Sequence, residues 1–181
     1  HQIALLCERA GLFQHALENY SDLADVKRVM MNTHVINPEF LAAYFSNLTP
    51  DDRFDCIKEL INADSRGNLQ LCVTVAAKHT EDIGLERLMD MFAALKQQGA
   101  LFFYLQAIVN ESEDPEVHYK FIEVAINVGE FGEAERVTRE SSVYDPERVK
   151  SFLMEVRPKD PRPLINVCDR FGFVEEMVVH M

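Results

Sequence analysis

Apolar residues return every three or four positions along most of this chain, as in Phe54, Ile57, Leu60 and Ile61, or Leu85, Leu88, Met89, Phe92 and Leu95. Strand-like alternation is nearly absent, so the pattern predicts an all-helical fold. Three times an apolar run stops at a lone glycine and another begins at once: Cys7-Glu8-Arg9-Ala10-Gly11-Leu12-Phe13, Ile126-Asn127-Val128-Gly129-Glu130-Phe131 and Cys168-Asp169-Arg170-Phe171-Gly172-Phe173. Glycine enters the left-handed conformation just past a helix end without steric cost, so each copy predicts the tip of a helical hairpin. Asn37-Pro38-Glu39, Thr49-Pro50-Asp51, Asp114-Pro115-Glu116 and Asp145-Pro146-Glu147 supply the opposite signal. Each offers a capping oxygen, a proline suited to the first turn and an acid favoured by the helix dipole.

These marks predict helices near residues 2–10, 12–20, 22–32, 38–47, 50–63, 67–79, 84–97, 100–110, 115–128, 130–140, 146–156, 161–171 and 173–180. Connections are short, which favours antiparallel neighbours stacked in order: an α-solenoid of helical hairpins. We expect residues 1–181 to form one continuous stack. Composition shifts once, at Arg157-Pro158-Lys159-Asp160-Pro161-Arg162-Pro163, where three prolines between 158 and 163 forbid continuous helix. It is either a domain linker or a longer turn within the stack, and the apolar pattern resuming at Leu164 favours the turn.

Composition narrows the function classes. A hydrophobic share of 48% supports a continuous core. With 30 acidic against 18 basic residues, the formal charge is −12, which opposes binding to nucleic acid or anionic lipid through the general field. No apolar stretch approaches the roughly 20 residues needed to span a bilayer, and the amino end carries no targeting pattern. The chain begins at His1 inside a helical pattern, as expected of a piece of something longer. Cys7, Cys56, Cys72 and Cys168 lie singly in apolar helical stretches, the usage expected of reduced core thiols in the cytosol. Sequons at Asn19, Asn47 and Asn110 are read as chance tripeptides.

Candidate chemistry is sparse. The seven glycines are scattered, so no phosphate loop is formed. Cys72 with His79, and Cys7 with His15, were weighed as metal-ligand pairs, but they share no spacing with each other. A buried thiol beside a partly exposed imidazole is the plainer reading of each. Asp51-Asp52, Glu81-Asp82 and Glu175-Glu176 could serve acid–base catalysis, yet they fall in helix first turns or on polar faces, where solvated carboxylates are ordinary. No nucleophile elbow occurs. The run Leu101-Phe102-Phe103-Tyr104-Leu105 is apolar around most of a helix, which predicts burial inside the stack, with an exposed partner-binding patch as the alternative. Glu130, Glu133 and Glu135 beside Arg136 and Arg139 form a solvated face. No catalytic, cofactor-binding or metal-binding residue is assigned, and the chain is not expected to be an enzyme.

Two strings carry a family resemblance: Ser142-Val143-Tyr144-Asp145-Pro146-Glu147-Arg148-Val149-Lys150-Ser151-Phe152-Leu153 and Leu164-Ile165-Asn166-Val167-Cys168-Asp169-Arg170-Phe171-Gly172-Phe173-Val174. Both resemble the leg of the clathrin heavy chain. Leu6-Cys7-Glu8-Arg9-Ala10-Gly11-Leu12, Asp25-Val26-Lys27-Arg28, Asn68-Leu69-Gln70-Leu71-Cys72-Val73 and Asp114-Pro115-Glu116-Val117-His118 continue it in the same order, while residues 80–99 and 157–163 depart from it.

The resemblance implies a right-handed α-solenoid of clathrin heavy-chain repeats, in the distal leg and ankle of a structural coat protein. Its implied partners are other clathrin heavy chains, through trimer and lattice contacts. Light chains and adaptors would bind other parts of the parent chain, and the cochaperone auxilin would dock at the ankle. No nucleic acid and no membrane insertion are implied, and the implied location is the cytosolic face of coated pits and vesicles. Two rivals remain open: an endolysosomal tethering or sorting subunit with the same repeat type, and a helical-repeat peptide-binding adaptor.

Overall fold

A computed structural model describes residues 1–95 and 99–173. The helices are α1 Gln2–Arg9, α2 Phe13–Asn19, α3 Leu23–Met30, α4 Pro38–Phe45, α5 Pro50–Ala63, α6 Leu69–Lys78, α7 Thr80–Ile83, α8 Leu85–Ala93, α9 Ala100–Ile108, α10 Pro115–Val128, α11 Phe131–Glu140, α12 Pro146–Val156 and α13 Arg162–Phe171. No strand occurs among the described residues, so the fold is all-α, built of stacked helical hairpins. The chain forms two compact units, His1–Ala100 and Leu101–Met181.

All four proline-marked starts are helix N-termini. The Asn37 side-chain amide oxygen accepts from the backbone N–H groups of Glu39 and Phe40, the Thr49 hydroxyl from Asp52, the Asp114 carboxylate from Glu116, and the Asp145 carboxylate from Glu147 and Arg148. Each side chain satisfies donors that the helix itself leaves unpaired. At the far ends, Gly11, Gly129 and Gly172 all have positive φ. The same closing bond recurs: Leu12 N–H to the Cys7 carbonyl, Glu130 to Ala125 and Phe173 to Cys168, each at 2.8 Å. This six-to-one bond is the Schellman closure of a helix C-terminus.

In the first unit α1 packs on α2 and α2 on α3, while α5 packs on α3, α6 and α7. Its core includes Leu17, Val29, Met30, Leu41, Phe45, Ile57, Leu60, Ile61, Leu88 and Phe92. The α5–α6 turn is closed by Asp64, which accepts from the N–H groups of Arg66 and Gly67. Buried Asn68 then donates to the Leu60 carbonyl and accepts from the Thr33 hydroxyl, joining the α3–α4 connection to this hairpin.

In the second unit α10 packs on α11 and α12, and α13 packs on α11 and α12. The proline-rich stretch is therefore a turn within one unit, not a linker. Of the aromatic run, Phe102, Tyr104 and Leu105 are buried, Phe102 stacking on Phe121 of α10 at 5.5 Å, while Phe103 is 47% exposed.

One helix was not anticipated. Thr80–Ile83 adds a single turn, α7, because the Thr80 hydroxyl folds back onto the Ala76 carbonyl and ends α6 at His79, before Gly84 at φ +109 redirects the chain into α8. The α8 helix stops at Ala93, short of the expected 97, and the helix expected over 173–180 lies almost wholly outside the described residues.

At Gly129 an added Cβ would meet no atom within 4 Å, so the demand for glycine comes from its φ of +86 alone. Gly129→Val is therefore expected to destabilise the chain by about 1 kcal/mol or more through backbone strain. In a thermal melt that is a fall of about 2–4 °C, and an unshifted melt would mean that the tip tolerates another conformation.

Candidate functional site

The described polar residues converge on the joints between successive helices rather than on a pocket. Arginines recur there. On α3, Arg28 donates from Nε and Nη2 to the two carboxylate oxygens of Glu8 on α1, at 3.1 and 2.8 Å, and also reaches Asp25. Tyr20 donates its hydroxyl to the same Glu8 at 2.7 Å. The paired guanidinium, then the tyrosine, hold the Glu8 carboxyl below the usual carboxylate range. Arg87 of α8 pairs with Asp51 of α5 at 2.9 Å and lies over the Phe54 ring. In the second unit, Arg148 of α12 forks onto Glu116 of α10 and stacks over Tyr119, 3.7 Å from the ring centroid. Arg170 of α13 donates to the Thr138 and Ser141 carbonyls at the end of α11.

The deepest of these is Arg53, 5% exposed. Its Nε donates to the Phe45 carbonyl at 2.8 Å, and Nη2 donates to those of Leu48 at 2.9 Å and Ser46 at 3.4 Å. Nη1 meets Asp82 at 3.3 Å. One side chain of α5 thus supplies donors to the frayed C-terminus of α4 and a charge partner to α7. A planar cation with five fixed N–H donors suits this task, since each buried carbonyl left without a donor costs about 1–3 kcal/mol.

Two further side chains complete the joints. His118 donates from Nε2 to the Ser112 carbonyl at 2.6 Å and shares a hydrogen bond between Nδ1 and the Ser141 hydroxyl at 2.9 Å, tying the α9–α10 connection to the end of α11. Tyr144, fully buried, donates to the Thr138 carbonyl at 2.7 Å, and burial pushes its phenol up to about 12.

The residues weighed for chemistry from the sequence are scattered. Cys72 donates its thiol to the Ile57 carbonyl, and His79 faces Asp82 instead. His15 faces Glu18. Among the described residues no three His, Cys, Asp or Glu side chains converge as metal ligands. Asp51 and Asp82 are engaged with Arg87 and Arg53, while Glu175 and Glu176 lie outside the described residues. Cys56, Cys72 and Cys168 are buried, but Cys7 is half-exposed, which corrects the expectation that all four are core residues. Burial pushes Cys56 and Cys72 up to about 12. On the solvated face, Glu133 and Glu135 pair with Arg136 and Arg139.

Two surface depressions among the described residues are shallow. One is lined by Leu23, Lys27, Arg28, Met31 and Glu59, another by His1, Glu8, Tyr20 and Asp25. No described helix is long and apolar enough to cross a membrane.

The clathrin family model, described as a region in clathrin and VPS, matches residues 76–181. Human clathrin heavy chain 2 is 49% identical over 179 residues, covering 99% of this chain and 11% of the relative. The clathrin heavy chain of Drosophila melanogaster is 47% identical over 179 residues, and clathrin heavy chain 1 of Arabidopsis thaliana is 44% identical over 180; each match covers 99% of this chain and 11% of the relative. The chain belongs to the clathrin heavy-chain family. It spans about a tenth of the length of the curated relatives it matches.

Sequence reasoning passed over Arg28, Arg53, Arg87, Arg148 and Arg170. Apart from Asp25, three positions before Arg28, their polar partners lie between 5 and 36 positions away in the chain, and helical periodicity carries no signal for those.

The joint around His79 makes the first unit sensitive to pH. Its Nε2 is buried without a partner, and burial, then the charges of Arg53 and Lys78, lower its pKa from 6.5 against the opposing pull of Asp82. The folded state therefore binds this proton less readily than the unfolded chain. The stability is present above pH 6.5 and is lost as pH falls below it. Melting temperature is expected to decline on acidification from pH 7.5 to 5.5, and less steeply in His79→Phe; equal slopes would remove His79 as the cause.

Proposed function

We propose that this chain is a segment of the leg of a clathrin heavy chain, acting as a strut of a polyhedral membrane coat rather than as an enzyme. The observation that carries this reading is the match along 99% of the chain, at 44–49% identity, to heavy chains of animals and a plant. The hairpin architecture supports it. A solenoid held by nearest-neighbour interfaces distributes bending over many joints, as a lattice of variable curvature requires. Many weak contacts between legs hold a closed coat through linkage within one assembly and still permit release.

The partners in this reading are other heavy chains. Light chains and adaptors bind elsewhere on the parent, and auxilin docks at the ankle, near the distal leg where this segment belongs. The location is the cytosolic face of coated pits and vesicles. A formal charge of −12 is consistent with a protein held at the membrane through others rather than by anionic lipid. Ile3, Leu6 and Leu12 are 64%, 65% and 51% exposed on the α1–α2 hairpin, as suits a face that stacks on a neighbouring hairpin of a longer solenoid. The heavy-chain matches do not favour the tethering-subunit or peptide-binding readings.

Two measurements test this. Residues 1–181 are proposed to form one continuous stack, so the scattering radius of gyration of the chain is expected to be well above the about 16 Å of a compact globule of this length. A value near 16 Å would refute the continuous solenoid. Electron microscopy of the full-length protein in mildly acidic, low-salt buffer is expected to show three-legged particles closing into polyhedral cages. Single particles or hetero-oligomers without cages would move the assignment to the tethering class.

A further inference from the structure

Arg157 is the one non-glycine residue with positive φ among the described residues, at φ 49 and ψ 64. The other described left-handed positions are Gly11, Gly84, Gly99, Gly129 and Gly172. Pro158 keeps Arg157 out of the right-handed helical region but by itself favours extended backbone, not a positive φ. It does not account for the arginine, because glycine would adopt the same conformation without strain. Strain kept at an exposed position points to a use for the side chain.

The charge at this turn is also uncommitted. In the second unit Arg136, Arg139, Arg148, Arg162, Arg170, Lys120 and Lys150 all meet a carboxylate or a carbonyl. Arg157 and Lys159 are exposed and have neither among the described residues. The turn that presents them is braced. Pro158 and Pro161 restrict the backbone, and Asp160 accepts from both the backbone and the guanidinium of Arg162. Val156, 43% exposed, lies beside them. A rigid tip with two free cations and an apolar neighbour is prepared for a contact at low ordering cost.

We infer that the turn led by Arg157 and Lys159 docks on a carboxylate-bearing surface of a second copy of this chain. The inference rests on the coat reading, which brings copies side by side. Charge selects the occupant: with 30 acidic residues against 18 basic, another copy presents carboxylates in excess. Glu111 and Glu113, exposed in the α9–α10 connection with no cation against them, are of the required kind.

The test is cage assembly of the full-length protein, read as the critical concentration by sedimentation. Arg157→Gly removes the charge and relieves the strain, so any loss of assembly is not a loss of folding, and its melting temperature is expected to match or exceed that of the unaltered protein. Its critical concentration is expected to rise by about threefold, with a weaker dependence on salt. Arg157→Lys, which keeps charge and strain, is expected to assemble within about twofold of the unaltered protein. Cages forming at the same concentration in Arg157→Gly would overturn the contact while leaving the coat reading intact. An unaltered protein that forms no cages would overturn both.

Discussion

No described helix exceeds 14 residues, and several have 7 or 8. Isolated helices of that length are marginal in water, since nucleation costs more than a few turns return. Each helix therefore exists because a neighbour covers its apolar stripe, and burial across successive hairpins is the constraint on which everything else depends. Caps, tips and ionic latches are arrangements for bringing the next helix back at the right place.

That dependence explains where charge is spent. A short helix exposes a large fraction of its peptide groups at its ends, and consecutive short helices bring those ends together at the joints. Arg53 is placed where carbonyls at the end of α4 would otherwise face the core edge unpaired, while the exposed Arg170 adds a second donor to the Thr138 carbonyl that Tyr144 already holds. Arg28, Arg87 and Arg148 sit further out, about half exposed, on the rims of their joints. Water screens these outer pairs, so they fix register more than they add stability.

The local chemistry of the chain was legible in the sequence. Four proline-marked starts and three glycine tips are decided by residues within one turn of the helix end, and the structure follows them closely. The tertiary chemistry was not. Nothing near Arg53 announces that it will span α4 and α7, and nothing near His79 announces a buried imidazole, because both depend on which helix returns against which. The α7 turn was missed for a related reason: four residues carry no period, and the Thr80 hydroxyl that ends α6 competes with the backbone in a way propensity does not register. Likewise, the proline stretch showed that helix must stop there, but not that α12 and α13 pack across it.

The distribution of the thiols has a practical side. Three of the four cysteines are sealed in the core, two of them with thiols held protonated far above neutral pH, and Cys7 alone is half-exposed on the first hairpin. Reaction with an alkylating or oxidising reagent requires the thiolate and a path to it. Thiol-directed reagents are thus directed to Cys7 on the first hairpin, which is placed for a fluorophore or a gold cluster.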